Sequence, residues 1–379
     1  MYRLTEFEKE LQAMAKEFAE KTLAPVVAEC DRESRFPLEV FKVYREMGFS
    51  MMGIPEKYGG QGLGIFAKSL IAEEIGKIDC GFHASAGTAG LAFLPVEIGG
   101  TESQIEKYVD FIKNHGIATF CLTEPEAGSD AGACRTTAVR DGNEYVINGR
   151  KCFATSGAYA SVYTVFTTVD RSLGTKGLTC FIVERDRPGI SIGKEEDKMG
   201  LRLSNTVDVV FDDVRVPVEN RVGAEGQGFY LAMRTLDRTR GSGGAGAVGM
   251  CQRAIDECVA YGKQRKTFGK PIVENQAIQF MLADMEIQTV AARELVWKNA
   301  RQLDVGIYDS KLGAIVKTFS SDTVMKVTTD AVQIFGGYGY MKDYPVEKLM
   351  RDAKIWQIFE GTNQIQRMVI GRALTKEKK

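Results

Sequence analysis

The hydrophobic period of the chain changes twice, and this double change limits the folds that the chain can adopt. Residues 1–117 place apolar side chains at helical spacing, residues 118–228 contain runs rich in β-branched and aromatic residues, and residues 229–379 return to helical spacing. Helical and strand-like runs are segregated rather than alternating, which argues against a doubly wound βαβ sheet. We therefore predict a multidomain α+β protein with an N-terminal all-α domain (1–117), a middle antiparallel β-domain (118–228) and a C-terminal bundle of four or five helices (229–379).

Helix boundaries follow from capping residues and apolar spacing. Thr5 and Glu8 have the spacing of a capping box and begin a helix that we expect to end near Thr22. Its predicted apolar stripe comprises Phe7, Leu11, Met14 and Phe18. Further helices are predicted over 37–48, 65–78 and 101–114 and, in the C-terminal third, over 245–264, 274–301, 310–335, 347–360 and 364–374.

The charges of the chain nearly cancel. Lys and Arg number 49 and Asp and Glu number 50, a formal net charge of -1, so no overall positive field favours nucleic acid. No apolar run approaches the ~18 residues that a membrane span needs. The N-terminus has neither the basic start and apolar segment of a signal peptide nor an Arg/Ser-rich transit composition. We expect a cytoplasmic protein with no membrane span and no nucleic-acid partner.

Cysteine and histidine usage argues against a metal site. The eight cysteines include no C-x-x-C pair, so we expect reduced, buried thiols. His83 and His115 are the only histidines, which excludes a His-rich metal centre. With no G-x-S-x-G elbow present, a Ser-His-Asp triad is also a poor fit. We interpret both histidines as ordinary structural residues.

Glycines cluster at one point of the C-terminal third. Two overlapping sets, Gly241, Gly243 and Gly246 and then Gly244, Gly246 and Gly249, match the G-x-G-x-x-G spacing of dinucleotide-binding loops. The preceding segment, FYLAMRTLDRTR, has helical rather than strand periodicity, which argues against that interpretation. We expect the glycines to let a buried helix begin close to its neighbours, or to leave room for a ligand.

Two segments of the middle domain allow both a structural and a functional interpretation. CLTEPEAGSD (121–130) is either a plain loop or a turn whose N–H groups and hydroxyls, from Thr123 and Ser129, surround a phosphate or polar cofactor. KCFATSG (151–157) places Phe153 and Thr155 on one strand face, where they belong to a β core or line a flat ring.

Two segments of the C-terminal third also allow both a structural and a functional interpretation. RKTFGK (265–270) and QIFGGYGY (333–340) are either helix caps and turns or an interface corner that binds phosphate. The groups available for the second role are Arg265, Gln333 and the backbone around Gly336 and Gly337.

Glu360 is the most suggestive single carboxylate. It follows Trp356, Ile358 and Phe359 and precedes a Gly-Thr turn. Apolar surroundings desolvate a carboxylate and raise its pKa toward the range of a general base. Most glutamates near helix ends are solvated, so the position alone leaves both interpretations open.

Five segments together resemble the acyl-CoA dehydrogenase family over nearly the whole chain. They are CLTEPEAGSD, KCFATSG, CQRAIDECVAYGKQRKTFGKPIVENQAI, DAVQIFGGYGY and PVEKLMRDAKIWQIFEGTNQIQR, in the family's order and spacing. The resemblance implies an N-terminal helical domain, a middle β-domain and a C-terminal four-helix domain. It also implies a homotetramer with FAD bound at a subunit interface.

The resemblance assigns roles to individual residues. It implies cofactor contacts from Leu122, Thr123, Ser129, Phe153, Thr155, Arg265, Thr267, Phe268, Asn275, Gln276, Gln333, Gly336, Gly337, Thr362 and Gln364, some of them toward a neighbouring subunit. It implies substrate contacts from Ser129, Asp237, Arg240 and Gly361, with Asp237 and Arg240 directed to the CoA moiety. Glu360 stands where short- and medium-chain members carry the catalytic base, whereas another branch carries its glutamate at the position of Thr239.

The implied reaction is the α,β-dehydrogenation of an acyl-CoA thioester to a trans-2-enoyl-CoA. Glu360 removes the α-proton, the β-hydrogen passes as hydride to flavin N5, and an electron-transfer flavoprotein accepts the electrons. The thioester oxygen is held by the Glu360 N–H and a ribityl hydroxyl. Alternatives are an acyl-CoA oxidase, a nitroalkane oxidase-like enzyme, which would carry Asp at position 360, and a flavin-containing nucleic-acid-binding homologue, which the near-zero net charge does not favour.

Two departures from the family pattern bear on the substrate. Gly241-Ser242-Gly243-Gly244 stands where relatives carry bulkier residues, which favours a widened pocket for a short, branched or cyclic acyl group such as cyclohexanecarboxyl-CoA. The segment SAGTAGLAFLP (85–95) is small and apolar, without arginine or a second acid. A dicarboxylic substrate would leave its distal carboxylate unpaired there, so we do not expect one.

Overall fold

The computed structural model describes residues 3–375, and its N-terminal part is all helical, as predicted. The helices are α1 (Glu6–Phe18), α2 (Ala24–Glu33), α3 (Leu38–Glu46), α4 (Ile65–Ile78), α5 (Cys80–Ala86), α6 (Thr88–Gly99) and α7 (Glu102–His115). Thr101 caps α7, because its hydroxyl accepts a hydrogen bond from the Gln104 N–H.

The first helix differs from its prediction. The capping box of Thr5 and Glu8 is present, but a π-helical turn, Ala19–Leu23, leads directly into α2, so the helical path continues to Glu33. Pro25 lacks the N–H that would continue the regular hydrogen-bond ladder, which accounts for the interruption. Of the expected apolar stripe, Leu11 and Phe18 are buried, whereas Phe7 lies exposed on the first turn.

Residues 118–222 form one eight-stranded sheet. Its strands are β1 (Ala118–Cys121), β2 (Thr137–Asp141), β3 (Glu144–Thr155), β4 (Val162–Thr168), β5 (Leu178–Glu184), β6 (Ile190–Glu195), β7 (Thr206–Pro217) and β8 (Arg221–Val222). The spatial order is β6-β7-β3-β2-β4-β5-β8, with β1 beside β4. Neighbours are antiparallel except that β1, and β2 through a single residue pair, run parallel to β4.

The C-terminal part returns to helices. They are α8 (Gly228–Thr239), α9 (Gly244–Gln264), α10 (Gln276–Asp304), α11 (Ser310–Phe335), α12 (Val346–Ala353) and α13 (Asn363–Thr375), with a two-stranded hairpin of β9 (Lys266–Thr267) and β10 (Lys270–Pro271) between α9 and α10. A helix, α8, precedes the glycine cluster, so the dinucleotide-loop interpretation is excluded.

The glycine cluster brings α4 and α9 into backbone contact. A Cβ on Gly249 would lie 2.1 Å from the carbonyl oxygen of Glu73, and a Cβ on Gly76 would lie 2.7 Å from the Cα of Gly246. Larger residues would separate the two helices. These glycines therefore set the contact between the N-terminal and C-terminal helices.

A buried ionic cluster joins all three parts of the chain. Lys348 on α12 donates to the carboxylates of Asp79 and Asp352, and the Leu201 N–H donates to Asp352 at 2.6 Å. Burial opposes the charged ammonium, but the two carboxylates outweigh it and raise the pKa of Lys348. The cluster holds the middle domain against the N- and C-terminal helices.

The sequence predicts both the state of the cysteines and the absence of a membrane span. All eight cysteines are buried and free of disulfides, as predicted. Within residues 3–375, no helix combines the length and apolarity that crossing a membrane requires.

Candidate active site

A cavity of about 730 Å³ lies where the three parts of the chain meet. Its wall contains a group of residues that the sequence predicted to act together: Leu122, Thr123, Ser129, Phe153 and Thr155 from the middle domain and Arg240, Glu360 and Gly361 from the C-terminal domain. These residues are far apart in the sequence, and the fold brings them into one wall.

Glu360 lies on a tight turn between the end of α12 and the start of α13. Its φ of 56° and the φ of 85° at Gly361 are both in the left-handed region. A non-glycine residue rarely adopts this conformation and needs support from its surroundings. Gln366 supplies that support by donating to the carbonyl oxygens of Glu360, at 3.2 Å, and Gly361, at 2.9 Å.

The Glu360 carboxylate has few polar partners. Among residues 3–375 its hydrogen-bond donor is the Thr239 hydroxyl, 3.0 Å from Oε2. Burial raises the pKa of Glu360, while Thr239 and the charges of Arg240 and Lys317 oppose that rise. The Glu360 N–H has no acceptor in the described part of the chain and can bind an external oxygen.

Another glutamate, Glu124, is buried and supports the middle-domain wall. Glu124 forms a fully buried ion pair with Lys151, 2.6 Å, and accepts the N–H groups of Arg135, at 2.6 Å, and Thr136, at 3.0 Å. Lys151 also donates to the Leu122 carbonyl at 3.1 Å. Burial favours the neutral acid, but these donors outweigh it and lower the pKa of Glu124 to about 2. The pair anchors the turn that carries Leu122, Thr123 and Ser129.

Phe153 does not belong to the β core. A bulge in β3 between Lys151 and Ala154 gives Phe153 a φ of 56°, and its side chain is 63% exposed while lining the cavity. The buried positions of this strand end are instead Cys152 and Ala154. The structure therefore excludes the core interpretation of Phe153 and leaves an uncovered ring in the cavity wall.

A second group of predicted residues does not line this cavity. Arg265, Thr267, Phe268, Asn275, Gln276, Gln333, Gly336 and Gly337 lie on the α9–α10 connection and at the end of α11. The guanidinium of Arg265 lies 5.4 Å from the ring centre of Tyr338, which joins the two segments. Arg265 and Gly336 are C-cap residues, as the structural interpretation expected, but Phe268 is fully exposed at the hairpin tip.

Three further predicted residues also lie outside the cavity wall. Asp237 accepts from Arg240, at 2.9 Å, and from the Ser310 hydroxyl, at 2.6 Å, so it orients a residue that does line the cavity. The Thr362 hydroxyl accepts from the Ile365 N–H at 3.3 Å, and Gln364 is exposed on α13.

The cavity wall contains charged and polar residues that the sequence did not point to. Lys317 on α11 is 5% exposed, and Lys68 and Arg238 line the wall together with the small residues of segment 85–95. His83, interpreted above as an ordinary residue, lines the wall too; burial lowers its pKa to about 4. A lysine in the apolar run GAIVKTF was the available signal for Lys317, since charged residues are rarely buried without a role.

Ser242, Gly243 and Gly244 line the cavity, but the glycine run expected to widen the pocket also serves packing. A Cβ on Gly241 would lie 1.8 Å from Oδ1 of Asn299, and a Cβ on Gly244 would lie 2.7 Å from the Ser320 hydroxyl. Both positions face neighbouring helices, so their lack of side chains does not by itself indicate a bulky substrate.

Family comparisons cover almost all of the chain. Three acyl-CoA dehydrogenase domain models match, the N-terminal domain over residues 5–113, the middle domain over 119–214 and the C-terminal domain over 226–375.

Individual relatives are similar over their full length. The short-chain specific acyl-CoA dehydrogenase of Clostridium acetobutylicum is 44% identical over 97% of this chain and 98% of its own. The structure of butyryl-CoA dehydrogenase from Megasphaera elsdenii has a TM-score of 0.96 at 43% identity, covering 99% of this chain and 100% of its own. A chain in a structure described as the electron transferring flavoprotein of Acidaminococcus fermentans has a TM-score of 0.96 at 45% identity, with 100% of both chains covered.

Proposed function

The chain belongs to the acyl-CoA dehydrogenase family, whose members are flavin-dependent oxidoreductases, and from this premise we propose that it dehydrogenates a short-chain acyl-CoA with FAD as cofactor and Glu360 as base. The observation that carries the proposal is the Glu360 carboxylate: it lies in the cavity with a raised pKa, and the only hydrogen-bond donor to it within residues 3–375 is the hydroxyl of Thr239. A partly desolvated carboxylate of this kind can accept a proton from a weak carbon acid.

The middle-domain wall suits the isoalloxazine ring of FAD. The Phe153 ring is uncovered, and the hydroxyls of Thr123, Ser129 and Thr155 make no hydrogen bond within residues 3–375. A flat aromatic group with several acceptors would satisfy both features, with Leu122 as a further apolar contact. When bound, FAD supplies the hydride acceptor of the reaction.

The second group of residues suits the remainder of the cofactor. We propose that Arg265, Thr267, Phe268, Asn275, Gln276, Gln333, Gly336 and Gly337 contact the FAD of a neighbouring copy in a homotetramer, and that Thr362 and Gln364 add contacts beside Glu360. The full exposure of Phe268 supports this, because a large apolar side chain at a hairpin tip gains from being covered.

The substrate contacts follow from the same wall. The free Glu360 N–H can donate to the thioester oxygen, where charge develops as the α-proton leaves. Thr239 holds the Glu360 carboxylate, and Asp237 orients Arg240, which we assign to the CoA moiety. Ser129 and Gly361 line the cavity beside these groups.

We propose a short, unbranched acyl chain and an electron-transfer flavoprotein as electron acceptor. The relative named short-chain specific and the similar butyryl-CoA dehydrogenase favour the first, and the Acidaminococcus fermentans structure favours the second. The branched or cyclic substrate expected from the glycines has no support from these relatives, and the packing of Gly241 and Gly244 removes part of its basis.

The test is the visible flavin spectrum of the purified protein during anaerobic addition of butyryl-, isobutyryl-, cyclohexanecarboxyl- and glutaryl-CoA. We expect butyryl-CoA to bleach the flavin fastest and Glu360→Gln to abolish the bleaching. Fastest bleaching by a branched, cyclic or dicarboxylic thioester would contradict the substrate assignment. Rapid reoxidation by O2 would indicate an oxidase, and a protein that binds no FAD would contradict the proposal as a whole.

A further inference from the structure

We propose that Lys317 is a positioning residue for the base: its buried ammonium is the counter-charge of the Glu360 carboxylate and, through Asn363, it holds the turn that carries Glu360. This inference rests on the proposed function, because it takes Glu360 as the group that accepts the α-proton.

The burial of Lys317 is the first observation. The residue lies in the cavity wall on α11, is 5% exposed, and its Nζ donates to the amide oxygen of Asn363 at 2.7 Å. An amide oxygen carries no formal charge, and Lys317 forms no direct ion pair within residues 3–375. A buried charge without a counter-charge destabilises the fold. We therefore expect the counter-charge of Lys317 to lie beyond hydrogen-bond distance.

Of the charged groups that act on Lys317, one is available as its counter-charge. Among the groups that act on Lys317, Arg240 is a cation paired with Asp237 at 2.9 Å, and the carboxylate of Asp322 already accepts from Gln357, at 2.7 Å, and Arg367, at 2.7 Å. Glu360 has only the neutral hydroxyl of Thr239. Among the charged groups that act on Lys317, Glu360 is therefore the anion that has no charged hydrogen-bond partner.

Asn363 links Lys317 to the turn that carries Glu360 through a hydrogen bond. Its side-chain oxygen accepts from Lys317 and from the Ser321 hydroxyl, at 3.0 Å, and its side-chain nitrogen donates to Asp322 at 2.8 Å. Asn363 begins α13, three residues after Glu360, so α11 clamps the end of a turn that contains two left-handed residues. Such a turn needs external support to keep its geometry.

The charges set the expected pH dependence. Glu360 is faced by Thr239 and Arg240 at the end of α8 and by Lys317 on α11; Lys317 is faced by Glu360, Arg240, Asp322 and Arg367. Protonated Lys317 favours the ionised carboxylate, which is the active base. Burial lowers the pKa of Lys317 to about 8, so its charge and this effect fade above that pH.

The experiment measures flavin reduction by butyryl-CoA in single turnovers of FAD-loaded enzyme from pH 5.5 to 9.5. In Lys317→Met, the acidic limb of the pH–rate profile should move to higher pH by about one unit. Flavin reduction near neutral pH should then be about tenfold slower than in wild type. Above pH 9, where wild-type Lys317 is itself neutral, the difference between variant and wild type should shrink, and what remains in Lys317→Met but not in Lys317→Gln measures the loss of the Asn363 contact. Lys317→Arg should restore the acidic limb.

The matched control is Lys326→Met. Lys326 lies on the same helix but is exposed and paired with Asp330 at 2.6 Å, so its removal should leave the profile unchanged. Visible absorbance and thermal unfolding check that each variant is folded and holds FAD; if Lys317→Met does not fold, Lys317→Gln, which keeps a donor for Asn363, carries the same expectation.

A loss of rate by the same factor at every pH, or a failure of Arg to restore the limb, would show that Lys317 has only a structural role and would overturn this inference alone. A wild-type enzyme that no acyl-CoA reduces would instead overturn the proposed function, and the base assignment with it.

Discussion

Two glutamates near the same cavity, the buried Glu124 and the partly buried Glu360, differ in the direction in which the protein moves their pKa. Burial favours the neutral acid in both. At Glu124, the Lys151 ammonium and the backbone donors of Arg135 and Thr136 outweigh burial, and the pKa falls to about 2. At Glu360, the Thr239 hydroxyl is the only hydrogen-bond donor in residues 3–375, and the pKa rises. Burial acts in the same direction on both carboxylates, and the charged and backbone donors at Glu124 reverse its effect there.

This difference fits a structural role for Glu124 and the proposed role of Glu360 as base. Glu124 is saturated with donors, so it has no capacity left for a proton from substrate and serves to hold the turn after β1. Within residues 3–375 the Glu360 carboxylate accepts one hydrogen bond, so it stays basic enough to take a proton. Two acids of one type can therefore have separate roles around one cavity, Glu360 in its wall and Glu124 in support of that wall.

The largest expected effect comes from exchanging each glutamate for glutamine. Glu124→Gln should lower the free energy of unfolding by roughly 3–5 kcal/mol, because Lys151 keeps its buried charge without an anion. Glu360→Gln should change the free energy of unfolding much less at pH 7, because a carboxylate with a raised pKa costs stability once ionised, and its removal offsets the loss of the counter-charge of Lys317. Denaturant unfolding of both holoenzyme variants makes the comparison.

Two controls accompany that exchange. The double variant Glu124→Gln/Lys151→Met should recover part of the loss, because no unpaired charge remains. In wild type, the stabilisation from Glu124 is present above its ordinary pKa of 4.5 and should disappear as the pH falls toward about 2. Equal stability of wild type and Glu124→Gln would contradict the assignment of Glu124 as a structural acid.

A smaller effect is expected from Thr239→Val. Loss of the hydroxyl removes the hydrogen bond to the Glu360 carboxylate and should raise the pKa of Glu360 further. Flavin reduction by butyryl-CoA should then be about tenfold slower at pH 6 and approach the wild-type rate at high pH. A pH-independent loss would mean that Thr239 acts on substrate geometry instead.

The smallest effect on stability is expected from Phe268→Ala. The side chain is fully exposed, so its truncation should change the free energy of unfolding of an isolated chain by less than about 0.5 kcal/mol. Retention of FAD during gel filtration should nevertheless fall, because the proposed site uses Phe268 of a neighbouring copy. Unchanged retention would remove Phe268 from that site and confine the cofactor contacts to the cavity wall.

Some helices follow their sequence patterns closely, whereas features that depend on long-range pairing do not. Helices α4 and α11 agree with their predicted limits because their patterns are long and regular, whereas the π turn at Ala19–Leu23 interrupts a pattern that continues through it. The sequence predicts Phe153 and Thr155 on one strand face, but the bulge that uncovers Phe153 depends on the pairing of β3 with β7. Such pairing is a long-range property that a local pattern does not contain.

The sequence by itself determined the three-part organisation, because apolar periodicity is a local property of helices and strands, and the motif around Glu360 is the sequence feature on which its proposed role as base rests. Only the tertiary structure decided how the acids behave. Glu124 and Lys151 are 27 residues apart, and Lys317 and Asn363 are 46 residues apart. The direction of a pKa depends on which charges and donors lie within a few ångströms, and that is set when separate elements pack against one another.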